Sequence, residues 1–190
     1  MRLIGTVAPD RPLLVVALPE EAAHLDGGLP VLLTGMGKVN AATALATVLA
    51  GGAHPAEVVN LGTAGALKPG LAGTHEIARV LQHDLDTALL EGLTGRPMDG
   101  PIELAPAGPV LATGDRFVSV DAERDLLAAR ADLVDMEGWA VAHVARRAGL
   151  PVRLVKHVSD EAGDGAVRSW QESVDDCAKL LADWARTRLV

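Results

Sequence analysis

The chain has 190 residues, with 17 basic side chains against 25 acidic ones, and its net charge of −8 excludes a general affinity for phosphate backbones or anionic lipid surfaces. At 49% hydrophobic and 22% charged it is globular rather than disordered, and its length suits one domain over 1–190. A single cysteine, Cys177, excludes an intrachain disulfide or thiolate cluster, and Phe117, Trp139, Trp170 and Trp184 are too few aromatics for a single-strand stacking platform.

Met1 to Asp10 lacks a basic region followed by an apolar stretch, so no signal peptide is read there. The longest apolar runs, such as Leu13 to Leu18, fall far below the ~18 residues of a membrane span. The expectation is a cytoplasmic protein with no membrane and no nucleic-acid partner.

Leu13 to Leu18 is a continuous apolar run ending at Pro19 and predicts a buried strand. Val31 to Thr34 predicts a second, closed by Gly35-Met-Gly37. Lys38 to Ala50 holds no Gly or Pro, is stopped by Gly51-Gly52, and predicts a helix. Val58 to Leu61 predicts a strand entering the turn Gly62-Thr-Ala-Gly65, and His75 to Gln82 and Val110 to Thr113 predict two more. Glu91 to Pro109 is rich in Gly and Pro and reads as a long loop or edge excursion. Asp121 is placed to cap a helix over 122–130. Leu133-Val134 leads into Asp135-Met-Glu137 and a helix to about Ala148, ended by Gly149-Leu-Pro151. Val152 to Val158 predicts the last strand. A capping box, Ser169-x-x-Glu172, opens a final helix whose apolar positions Val174, Cys177, Leu181 and Trp184 keep helical spacing.

This alternation predicts an α/β fold: a three-layer sandwich with a central, mostly parallel sheet flanked by helices. Ligands of such sheets bind outside the carboxyl ends of the strands. The residues there are Pro19-Glu20-Glu21, Gly35-Met-Gly37, Gly62 to Gly65, Gly114 to Phe117, Met136-Glu137 and Ser159-Asp160. A pocket rimmed by small turns and carboxylates is the first functional sign.

Several motifs fail on inspection. Gly35-x-Gly37-Lys38 is no phosphate loop, because Val39 follows the lysine and Leu32 stands where the first glycine belongs. It is no dinucleotide fingerprint either, because Asn40 occupies the third glycine position. His83-Asp84-x-Asp86 is a weak metal pattern that reads more simply as solvated loop residues, so no metal and no cofactor is assigned. There is no Gly-x-Ser-x-Gly elbow. Glu21, Glu137 and Asp160 each read singly as helix-turn or turn-capping residues. Together, at the expected ligand edge, they weigh more.

Thr34 to Ala42, Asn60 to Leu67, Ala112 to Val118, Val134 to Val141 and Val158 to Ala162 occur in this order. Together they resemble the nucleoside phosphorylase/nucleosidase superfamily, over about residues 13–185. Within it the chain looks most like the 5′-methylthioadenosine/S-adenosylhomocysteine nucleosidases. The resemblance implies the phosphorylase/hydrolase-like fold, with a mixed, partly barrel-like sheet. It implies cleavage of the bond between a purine and a ribose, and a homodimer. It makes Asp160 the acid that protonates the purine leaving group and Glu21 the base that activates water. Glu137 and Met136 become ribose contacts. Phe117 and Val118 stack on and hydrogen-bond the base. Thr63, Ser159 and Lys156 become polar groups of the substrate site, and Trp170 covers the 5′ substituent.

Chemistry agrees with these roles. A purine anion leaves poorly and needs a proton, while a second carboxylate on the opposite face activates water, as in inverting glycosidases. Lys156 stands where the nucleosidases usually carry arginine, and the chain is short around 84–108, where relatives build much of the 5′ pocket. A more open pocket would suit adenosine, inosine or a modified nucleoside such as futalosine. The alternative is a purine nucleoside phosphorylase, but the arginine-bearing first loop of that branch is replaced by Pro19-Glu20-Glu21. A binding protein without turnover is a third reading, against which the three carboxylates argue.

Overall fold

The computed structural model describes residues 1–26, 28–52 and 54–189. In chain order the elements are β1 (Arg2–Ile4), β2 (Leu13–Val16), β3 (Val31–Leu33), α1 (Lys38–Ala50), β4 (Val58–Ala66), β5 (Thr74–Glu76), β6 (Arg79–Gln82) and α2 (Thr87–Thr94). They continue as β7 (Ile102–Glu103), β8 (Val110–Thr113), α3 (Asp121–Ala128), β9 (Leu133–Asp135), α4 (Gly138–Arg147), β10 (Val152–Asp160) and α5 (Ala166–Leu189).

The three expected layers are present. Alternate residues of a strand face opposite sides of a sheet. Accordingly Leu13 and Val15 of β2 pack with Ala41, Leu45 and Leu49 of α1 and Val141 and Ala145 of α4. Leu14 and Val16 pack on the other face with Leu181 and Ala185 of α5. A third cluster joins Leu127 of α3 to Leu81, Ala112 and Val134. The fully apolar runs of β2, β3 and the start of β4 follow from this covering of both faces.

The sheet is mixed. β2 pairs in parallel with β3 and β4, β10 with β4, β6 with β8, and β8 with β9. β1, β5, β7 and the β4–β9 contact are antiparallel. The stretch predicted as one strand, His75 to Gln82, is two, parted at Ile77-Ala78: β5 pairs with β10 while β6 pairs with β8. That break lets the pairing run β4–β9–β8–β6/β5–β10 and return to β4, closing one half of the sheet like a barrel.

Other boundaries differ for physical reasons. β4 does not stop at Leu61, because Gly62 and Gly65 continue the strand where neighbours crowd it. A Cβ on Gly65 would lie 2.9 Å from the Ala162 Cβ and 3.0 Å from Asp160 Oδ1. β10 likewise runs on to Asp160, with a register shift between Val158 and Asp160. The Gly- and Pro-rich stretch from Glu91 contains the end of α2 and the short strand β7. Asp121 is the first residue of α3 rather than its cap. Val120 takes that place, and the Asp121 carboxylate accepts from Arg124 Nη1 (2.9 Å) and the Asp164 amide (3.1 Å). Ser169 and Glu172 do not cap α5, which already begins at Ala166. The Ser169 amide bonds Gly165 O within the first turn, and Glu172 takes Arg168 at 2.7 Å.

Candidate active site

The carboxyl ends of β2, β4, β8, β9 and β10 surround an open-mouthed cleft of about 560 Å³. Glu21, Thr63, Phe117, Val118, Met136, Glu137, Ser159, Asp160 and Trp170 all line it. Nine of the ten residues singled out in the sequence therefore meet at one place, from six separate segments of chain. Lys156 is not in the lining. It lies beneath it, and its side chain is 1% exposed.

Each carboxylate is held differently. Glu21 sits in the turns after β2 and is buried. Its Oε1 accepts from the Thr63 amide (2.7 Å) and from Thr63 Oγ1 (2.8 Å). Thr63 Oγ1 in turn accepts from Trp170 Nε1 at 3.0 Å, which ties α5 to this carboxylate. Among the described residues nothing bonds Glu21 Oε2, so one oxygen of the group stays available to a ligand.

Asp160 ends β10. Its Oδ2 accepts from Ser159 Oγ (2.8 Å) and its Oδ1 from the Ala162 amide (2.9 Å). Ala162 is buried and holds φ at +50°, a conformation a non-glycine residue adopts only under constraint. Burial pushes the Asp160 carboxyl above the usual carboxylate range, and the two hydrogen bonds offset this only in part.

Glu137 occupies the cap position of α4, but its side chain caps nothing. Instead Oε1 accepts from the Gly37 amide, in the turn before α1, at 2.7 Å. Burial raises this carboxyl to about 8, and the neighbouring Asp135 carboxylate adds to the rise.

Asp135 is the residue sequence reading passed over, although it stands inside the quoted Asp135-Met-Glu137 motif. It is buried and accepts from Thr113 Oγ1 (2.6 Å) and the Gly138 amide (2.8 Å), and it pairs with Lys156 Nζ at 2.9 Å. Burial works against the Lys156 ammonium. The carboxylates of Asp135, Glu137 and Glu21 outweigh it and hold the group above the ordinary lysine value. One buried cation thus sits among three carboxylates. Arg116 and Met36, which stand in the turns expected at the ligand edge but were given no role of their own, also line the cleft.

Asp84 of the weak metal pattern is turned to Lys38 Nζ and the Asp115 amide (2.8 Å). Among the described residues no group of three His, Cys, Asp or Glu is placed to hold a metal.

Such a cleft can carry out acid–base chemistry on a neutral ligand. Asp160 offers a carboxyl whose raised pKa favours retention of its proton. Glu21 offers a carboxyl group held through one oxygen by Thr63, with the other oxygen available.

Comparison with known proteins agrees. The family profile described as the phosphorylase superfamily matches residues 22–91 and 73–187. A 5′-methylthioadenosine/S-adenosylhomocysteine nucleosidase of Marinomonas sp. is 32% identical over 168 residues, which cover 75% of this chain and 72% of that protein. One from Oceanobacillus iheyensis is 29% identical over 184 residues, covering 84% and 80%. The solved structure of a nucleosidase of the same name from Helicobacter pylori superposes with a TM-score of 0.81 at 23% identity, covering 94% of this chain and 97% of that one. The ordered motifs, the half-closed mixed sheet and these matches lead to one conclusion: the chain belongs to the phosphorylase superfamily.

Proposed function

We propose that this protein is a nucleosidase that hydrolyses the N-glycosidic bond of a purine nucleoside, releasing the free base and a ribose derivative. The observation that carries this reading is the placement of Glu21 and Asp160 in one cleft, one held as an acceptor by Thr63 and the other raised by burial above the usual carboxylate range. The relatives named as 5′-methylthioadenosine/S-adenosylhomocysteine nucleosidases support it.

In this mechanism the C1′–N9 bond breaks and its electron pair passes to the purine. Asp160 delivers its proton to N7, so the base leaves neutral. The ribose gains oxocarbenium character, which the surrounding carboxylates stabilise. Glu21 takes a proton from water as the water oxygen bonds C1′. Glu137 and Met136 hold the ribose, Phe117 and Val118 hold the base, and Ser159 and Thr63 fix the two catalytic carboxylates. Trp170 covers the 5′ substituent. Lys156 acts from beneath the cleft as counter-charge to Asp135, with which it pairs at 2.9 Å.

Phosphorolysis fits less well. A phosphate dianion needs converging cations. Arg116 is the one cationic side chain among the described lining residues, whereas Lys156 is bound to Asp135. Glu21 would face the dianion, and like charges at close range repel by several kcal/mol (about 4 kcal/mol for unit charges at 4 Å) near a protein surface.

The assembly that accompanies this reading is a homodimer in the cytoplasm. α2 buries none of its residues, and Leu85, Leu89 and Leu93 leave an apolar stripe exposed at helical spacing. Among the described residues no helix is long and apolar enough to cross a membrane.

The deciding experiment is base release from methylthioadenosine, adenosine and inosine with and without phosphate, identifying the sugar product. Free ribose product, indifferent to phosphate, is expected. Ribose 1-phosphate formed only with phosphate present would make the protein a phosphorylase.

A further inference from the structure

Two motifs that carried no chemistry by themselves, Gly35-x-Gly37-Lys38 and His83-Asp84, meet in the fold. Lys38 Nζ contacts Asp84 Oδ1 and donates to Gln82 Oε1 at 3.1 Å. The Lys38 amide donates to Asp115 Oδ1 at 2.8 Å, and Lys38 Nζ lies 3.7 Å from Asp115 Oδ2. The Asp115 amide closes the ring by donating to Asp84 Oδ2 at 2.8 Å. The lysine side chain is 16% exposed and Asp84 23%, so the pair is shielded rather than a solvated surface contact. Proximity to Lys38 and the Asp115 amide holds the Asp84 carboxyl below the usual range against the opposing effect of burial.

The ends of this ring lead to two different parts of the cleft. Directly before Lys38, the Gly37 amide donates to Glu137 Oε1 at 2.7 Å. Gly37 has φ +92°, and a Cβ there would lie 3.1 Å from Asp115 Oδ1, so the turn is pressed against the segment it is tied to. Directly after Asp115 come Arg116, Phe117 and Val118, all in the cleft lining. The ring therefore connects the turn that holds the ribose carboxylate to the segment that holds the base.

We propose that Lys38, Asp84 and Asp115 form a positioning network that sets the distance between the ribose-binding and base-binding parts of the site. This rests on the nucleosidase reading. None of the three lines the cleft. They act on a ligand through Gly37 and Glu137 on one side and Phe117 and Val118 on the other. A ligand that uses both parts depends on their spacing, whereas free base uses one part and does not. Displacement of a site by about 1 Å is enough to cost on the order of a hundredfold in a reaction that needs both parts aligned.

The test compares wild type with Lys38→Met, Asp84→Asn and the double variant, using methylthioadenosine as substrate and adenine as product inhibitor. The single variants are expected to raise KM at least tenfold while the inhibition constant of adenine stays within twofold. The double variant is expected to be no worse than the poorer single, as for residues of one network. Lys38→Arg, which retains the charge, is expected to lose less than Lys38→Met. Circular dichroism melts establish that each variant is folded. Equal weakening of substrate and adenine, no weakening of either, or additive effects in the double variant would overturn the network. Failure of wild type to release base from any nucleoside would instead overturn the nucleosidase reading.

Discussion

Asp160 and Glu137 are both buried acids, but burial has different consequences at the two positions. For Asp160 the raised pKa suits the proposed acid role, in which the proton must be present before the bond breaks. Asp160→Asn is expected to lower turnover at least ~10²-fold with little change in KM, and to abolish the fall in rate as pH rises through the carboxyl's raised pKa. Turnover near wild type in that variant would remove Asp160 from the role. For Glu137 the shift is a cost to stability. Its carboxyl goes from an ordinary 4.5 to about 8 on folding. Below the lower value both states are protonated. Between the two the unfolded chain is ionised while the folded protein keeps the proton, so stability falls as pH rises through this window. The melting temperature of the unliganded protein should therefore fall between pH 5 and 8 more steeply in wild type than in Glu137→Gln. Parallel curves would show that Glu137 is not the group responsible. The residue types were legible in sequence as three carboxylates at strand ends. The protonation of Glu137 was not, because it depends on burial and then on Asp135 and Lys156, which reach Glu137 only through the packing of β9, α4 and β10.

At the scale of elements, strand cores were legible and strand ends were not. Leu13 to Leu18, Val31 to Thr34 and Val152 to Val158 announce themselves by apolar runs. Gly62 and Gly65 read as turn residues because glycine usually interrupts a strand. In β4 they serve another purpose, the close approach of side chains that belong to the site. A Cβ on Gly65 meets Ala162 and Asp160. Gly65→Ala should therefore destabilise the protein by about 1–3 kcal/mol through overpacking and also lower turnover, because Asp160 and the constrained Ala162 must shift. Denaturant unfolding together with base-release kinetics checks both parts. An alanine variant with wild-type turnover would show that the loop after β10 yields freely. The capping-box pattern at Ser169 misled for a related reason. Helix signals are local, but the start of α5 is decided by the turn through Gly163 and Gly165 that Asp121 ties to α3.

At the scale of the molecule, the apolar side chains of Leu85, Leu89 and Leu93 remain exposed among the described residues of the protomer. If this face joins two copies, Leu89→Asp with Leu93→Asp should convert a dimer to a monomer in sedimentation velocity without loss of helical signal. Wild type sedimenting as a monomer throughout the micromolar range would reject the homodimer. The sequence alone determined the α/β class, the order of most elements, the family resemblance and nine residues that line one cleft, since apolar periodicity and short motifs are local properties of the chain. Tertiary structure alone decided how β5 and β6 close the sheet. It also decided that Lys156 neutralises from below rather than lining the cleft, and that Lys38 and Asp84 join across 46 positions of sequence. These are matters of distance between segments remote along the chain, and the spacing of residues in sequence carries no measure of them.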